Sequence, residues 1–203
     1  MNAARLYMEA MDMWRQHITK DCQFHGIVVK GGEAPNIVPE EVCLDYYYRA
    51  ATLENLWKLN KISENCARGA ALATGTEVEW QQRYPDYGEI YWNEYMDQIM
   101  KDIFEHVGRT CEDSPGPGGS SDIGNVSIKI PAIHDYLSIT DDSTIQAHTV
   151  EYAAASCTPE ANEVCLKGAK GLAMTGYDIL SDPDFQKEIK EYHDKQIPDF
   201  YKH

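Results

Sequence analysis

The chain has 203 residues, 43% of them apolar, and its 33 Asp and Glu against 18 Lys and Arg give a formal net charge of -15. This length buries a sizeable core as one large or two small domains, and the negative charge repels phosphate backbones and anionic membranes, so neither nucleic acid nor membrane is expected as a partner. No apolar run is long enough to cross a bilayer, and Glu9 and Asp12 interrupt the N-terminal segment, which does not read as a secretory signal. Cys22, Cys43, Cys66, Cys111, Cys157 and Cys165 lack C-x-x-C spacing, so reduced thiols and a cytoplasmic location are expected.

In chain order, Leu6, Ala10, Met13, Trp14 and Ile18 recur at helical spacing and predict an amphipathic helix from Asn2 to Ile18. Cys22 to Lys30 is a short β-rich run, Gly31-Gly32 turns the chain, and Ile37 to Ala50 reads as a longer strand. A second helix spans Leu53 to Thr74 with Gly75 as its terminator, and Thr76 to Tyr84 reads as another strand. The order helix, strand, strand, helix, strand is that of a ferredoxin-like unit lacking its first strand.

After the turn from Pro85 to Gly88, a helix from Glu89 to Val107 is expected to bury Tyr91 or Tyr95, Ile99, Ile103 and Val107. Gly108 to Asn125 is a Pro/Gly/Ser-rich loop. Val126, Ile128 and Ile130 alternate with polar residues as a strand that Pro131 ends. Thr158-Pro159 opens a helix reaching about Leu180, and Asp182-Pro183 opens another in the same way.

Three segments carry chemistry. In H-G-I-V-V-K-G-G-E-A-P-N, running from His25 to Asn36, a strand histidine alone would be a packing residue. The pair Gly31-Gly32 permits positive φ and a close backbone approach to a ligand, or equally a hairpin turn. In G-G-S-S-D-I-G-N-V-S, from Gly118 to Ser127, Asp122 taken alone reads as a turn or helix cap. A-H-T-V-E places His148 just before a helix. One imidazole does not hold catalytic zinc, which takes three protein ligands and keeps a position for water.

Taken together, these segments resemble the dinuclear zinc amidohydrolases and peptidases that include aminoacylases, glutamate carboxypeptidases and p-aminobenzoyl-glutamate hydrolases (metallopeptidase family 20). The resemblance implies an α+β chain: an incomplete ferredoxin-like (βαββαβ) lid or dimerisation domain over residues 1–87, then the C-terminal strand-and-helix part of a zinc-peptidase catalytic domain over residues 88–203. It implies that His25 donates to the oxyanion of a neighbouring subunit's substrate, and that Asn36, Gly31 and Gly32 contact substrate. It further implies that Asp122 orients metal ligands or bound water, and that His148 is a metal ligand. Asn125 stands where relatives often carry aspartate.

The pattern's His-x-Asp pair is absent, and the sole Glu-Glu, Glu40-Glu41, already belongs to the hairpin. The resemblance therefore implies the C-terminal half of a metal-dependent amidohydrolase or peptidase cleaving an amide bond to an amino acid, in an aminobenzoyl-glutamate-like compound or a dipeptide. Two zinc ions are expected in the complete enzyme, and little zinc and no activity in this chain alone. Its partner is expected to be an N-terminal half or a homo-oligomer. A non-catalytic oligomerisation or binding module descended from the family is the alternative.

Overall fold

A computed structural model describes residues 1–112 and 119–202. Residues 113–118, the middle of the expected Pro/Gly/Ser-rich loop and including Gly118 of the second segment, lie outside the described residues, as does His203. The secondary structure is mixed α and β, with helices predominating. Two compact units form, Met1–Glu89 and Ile90–His203.

In the first unit the elements run α1 (Asn2–Trp14), β1 (Gln23–Lys30), β2 (Cys43–Arg49) and α2 (Leu53–Thr74). The two strands pair antiparallel, with Phe24 opposite Tyr48, His25 opposite Tyr47 and Gly26 opposite Tyr46. Strand alternation sends successive side chains to opposite faces. Phe24, Tyr46 and Tyr48 join Tyr7 and Met11 of α1 and Leu59 and Ala70 of α2 in one core. Gly26 is required there, because a Cβ at this position would overlap the Tyr46 ring lying across it.

Inside this core the Tyr7, Tyr48 and Ser63 hydroxyls form a triangle, 2.7 Å from Tyr7 to Tyr48, 3.0 Å from Tyr7 to Ser63 and 2.7 Å from Tyr48 to Ser63. Mutual bonding satisfies these groups away from water. Burial pushes the Tyr7 phenol above its ordinary range, which keeps it neutral.

Several elements differ from the sequence reading. The first helix stops at Trp14, and the second strand begins at Cys43 rather than Ile37, because the preceding segment holds Pro35 and Pro39. Thr76 to Tyr84 forms no strand. Alternation alone does not make a strand, since its amides need a neighbouring backbone. Side chains tie this segment down instead: Arg83 pairs with Asp45 at 2.6 Å, and the Arg68 guanidinium lies 4.8 Å from the Trp80 ring centroid.

The second unit comprises α3 (Glu94–His106), α4 (Ile123–Ser127), α5 (Val150–Ala155), α6 (Pro159–Ser181), α7 (Pro183–Gln196) and a 3-10 turn (Asp199–Tyr201). α3 starts at Glu94 rather than Glu89, because the Asn93 side chain caps it by accepting from the Met96 amide at 3.2 Å. It buries Met100, Ile103 and Phe104. The expected strand Val126–Ile130 is helical turn instead: the Asp122 carbonyl accepts from Asn125 and the Val126 carbonyl accepts from Ile130. Thr158 and Asp182 cap α6 and α7 with Pro159 and Pro183 in their first turns, as the sequence predicts. Among the described residues no helix is long and apolar enough to cross a membrane. All six cysteines are free.

Candidate functional site

In the first unit, His25 lies on the strand face opposite Phe24 and is exposed, beside Tyr47 of β2. Ile27 and Val29 share that face and are also exposed. An exposed histidine with no core role reverses the reading of His25 as a packing residue. Gly31, Gly32 and Asn36 follow in the exposed connection to β2, and Gly32 has a φ of 136° that a side chain disfavours. Histidine, glycines and asparagine thus belong to one hairpin, with their polar groups open to solvent.

In the second unit, a buried network fixes the segment that carries Asp122. The Ser127 hydroxyl donates to the Gly124 carbonyl at 2.8 Å and accepts from the Tyr91 amide at 2.9 Å. The His193 Nε2 donates to the Ser127 carbonyl at 2.8 Å, and the Asn93 side chain donates to the Ile189 carbonyl at 2.8 Å. Asn93, Ser127 and His193 are all buried, so these bonds lock α4 against α7. His193 is accordingly a structural residue. Asp122 precedes α4, yet its side chain makes no capping bond and is exposed.

His148 is the only non-glycine at positive φ among the described residues, at 66°. Such a conformation in a side-chain-bearing residue stores strain, which clusters at functional positions. Thr149 follows it and caps α5, accepting from the Tyr152 amide at 3.1 Å while its hydroxyl donates to the Gln146 carbonyl at 2.7 Å. These bonds anchor the backbone on both sides of an exposed imidazole. The described residues hold no group of three or more His, Cys, Asp and Glu able to bind a metal. The donors among the described residues therefore do not by themselves assemble a zinc site.

A cavity of about 500 Å³ is lined by Glu112, Asp141, Asp142, Ser143, Ile145 and Tyr152, among others. The Asp142 carboxylate is engaged by Thr144, at 2.7 Å from the hydroxyl, which holds it below the usual carboxylate range. The cavity wall is thus acidic beside the segment that bears His148.

One pair escapes sequence reasoning altogether. Asp135 Oδ2 and His134 Nδ1 are buried without a hydrogen-bond partner. The His134 ring lies against that of Tyr136, tilted by 38° with centroids 4.9 Å apart. Burial, and then the nearby Asp97 carboxylate, push Asp135 above its ordinary range, with His134 and Lys101 opposing. No spacing pattern announces such a pair, because tertiary packing creates its burial.

The raised value fixes a pH dependence. Between the ordinary Asp value of 3.8 and the higher folded value, the folded state binds more protons than the unfolded chain, so stability falls as pH rises through that window. Asp135→Asn is expected to melt a few degrees higher than the parent at pH 7. The difference should shrink toward pH 4. Thermal melts across that range check this, and equal melting temperatures at pH 7 would contradict it.

No family model matches the chain. It is 37% identical to the Xaa-Arg dipeptidase of Homo sapiens over 198 residues, 94% of this chain and 44% of that protein. To the Xaa-Arg dipeptidase of Mus musculus it is 34% identical over 195 residues, 94% of this chain and 45% of that protein. The chain spans less than half the length of the curated relatives it matches. The similarity extends over nearly the whole chain and bears out the resemblance to metallopeptidase family 20.

Proposed function

We propose that this chain is the C-terminal portion of a zinc-dependent dipeptidase whose metal site also needs donors from outside these 203 residues. The observation that carries this reading is the 37% identity to a dipeptidase over 94% of the chain. The name of that relative favours a dipeptide ending in a basic residue over a glutamate conjugate. An acidic cavity wall at Glu112, Asp141 and Asp142 supports it, because clustered carboxylates attract a guanidinium or ammonium group.

In this reading residues 1–87 are a ferredoxin-like lid and residues 88–203 the C-terminal part of the catalytic domain. The two helices that share a core with one sheet face support that assignment. His25 stands exposed on the other face, where its N–H can donate to a scissile carbonyl of a neighbouring subunit's substrate as that oxygen gains charge. Asn36 and the backbone at Gly31-Gly32 hold the same substrate. His148 contributes one imidazole toward zinc, and Asp122 orients the groups around it. Bound zinc would supply a metal-activated water for the hydrolysis. A strand edge open on the two-stranded sheet suits pairing with another copy.

Zinc content tests this reading. The purified chain is expected to carry well under one zinc, and a complex with the missing donors about two zinc per site. About one tightly held zinc in the chain alone, lost on His148→Ala, would contradict it.

A further inference from the structure

The outward face of the hairpin is not the polar surface that a half-buried sheet normally shows to water. Phe24, Tyr46 and Tyr48 pack into the core, so strand alternation turns Gln23, His25 and Ile27 of β1 outward, together with Asp45, Tyr47 and Arg49 of β2. An antiparallel sheet packed on one side carries polar residues on the other. Gln23 opposite Arg49 obeys that rule, and so does Asp45, whose carboxylate is engaged by Arg83 at 2.6 Å. Tyr47 and Ile27 do not: Tyr47 is 62% exposed and Ile27 65%.

The register places both beside His25. Tyr47 is its direct partner across the ladder, where facing Cβ atoms stand about 4.5–5.5 Å apart, and Ile27 is two residues further along β1, about 7 Å away. In a dipeptide the scissile carbonyl and the side chain of the first residue branch from the same Cα. A carbonyl oxygen that accepts from His25 therefore brings that side chain within reach of Tyr47 and Ile27. The other direction along the face leads to the polar pair Gln23 and Arg49. A protein partner is a poorer match, because a stable interface buries about 800 Å² on each side. One tyrosine and one isoleucine, even with Val29 at the bulge beyond them, offer far less, but enough for one substrate side chain.

We propose that Tyr47 and Ile27 are specificity-determining residues, which receive an apolar or aromatic side chain on the first residue of a dipeptide whose second residue is basic. The assignment rests on the function proposed above. It adds the class of the first residue, which the relatives' name leaves open as Xaa. Packing of that side chain against the Tyr47 ring takes apolar surface of both out of water, a gain that glycine does not supply.

The test measures kcat/KM of the zinc-loaded enzyme, assembled with the donors it needs, for phenylalanyl-arginine and glycyl-arginine. The parent is expected to favour the first by at least about 10-fold, the low end for filling an apolar site. Tyr47→Ala should bring the two within about 3-fold of each other while zinc content and circular dichroism match the parent. Tyr47→Phe should keep the parent's ratio, because the ring and not the hydroxyl makes the contact. Ile27→Asn should lower the ratio too, and it carries the test if Tyr47→Ala does not fold. A parent that does not distinguish the two dipeptides, or a folded Tyr47→Ala with the parent's ratio, overturns this assignment and leaves the proposed function standing. Hydrolysis of neither dipeptide by the assembled parent overturns the proposed function and this assignment with it. An oligomer that Tyr47→Ala splits while the ratio holds gives the face to a second copy and also overturns the assignment.

Discussion

Replacing His25 with alanine is expected to lower kcat of the assembled enzyme by about 10²–10³-fold, the usual loss when one preorganised oxyanion donor is removed. Zinc content and fold should not change, because His25 lies on β1 of the first unit and His148 belongs to the second. Its exposure also means that truncation opens no cavity. Because the histidine is proposed to act on a neighbouring subunit's substrate, mixing His25→Ala with a His148→Ala protein should restore part of the turnover, since one hybrid site then holds both histidines. Full activity in the single variant would remove His25 from the site. Failure of the mixture to recover activity would confine it to its own subunit.

The second large effect is on stability. Phe24→Ala should destabilise the first unit by about 3–5 kcal/mol, the range for truncating a buried phenylalanine. Phe24 is 1% exposed, the Arg15 guanidinium lies 4.1 Å from its ring centroid, and the Arg15 Nη2 donates to the Phe24 carbonyl at 3.1 Å. Its neighbours Met11 and Leu59 are fully buried too, so the vacated volume cannot be filled by a small side-chain shift. Urea unfolding followed through amide exchange in α1 and α2 measures the loss. A change below about 1 kcal/mol would show that this core is not what holds the unit together.

The helices were the most legible part of the chain. α2 is announced by its terminator Gly75, and α6 and α7 by the capping side chains Thr158 and Asp182, which accept from amides at the start of their helices. These signals are local, and local chemistry decides them. Strands were harder, because a strand is defined by a partner elsewhere. Cys43–Arg49 has β1 beside it and forms, whereas Thr76–Tyr84 alternates as well and does not. At Val126–Ile130 the alternating residues Val126 and Ile130 are also four apart, so the same pattern fits a helical turn. The buried Ser127 hydroxyl, bonded to Gly124 and Tyr91, selects the turn.

The candidate site residues were read from short local segments. His25, the two glycines and Asn36 are read from one contiguous segment, and a contiguous segment is what a hairpin keeps together. The strained backbone at His148 and the uncapped carboxylate at Asp122 add physical reasons that the sequence could not supply. The buried pair at His134 and Asp135 and the acidic cavity depend on chain segments meeting in space.

The most direct measurement is release of free arginine from an Xaa-Arg dipeptide by the purified chain, alone and after zinc loading with the complementary portion of the human relative. The account predicts no release by the chain alone, release by the complex, and loss of that release in a complex made with His148→Ala. Arginine released by the chain alone at the rate of the complex, or a complex indifferent to His148→Ala, would contradict it.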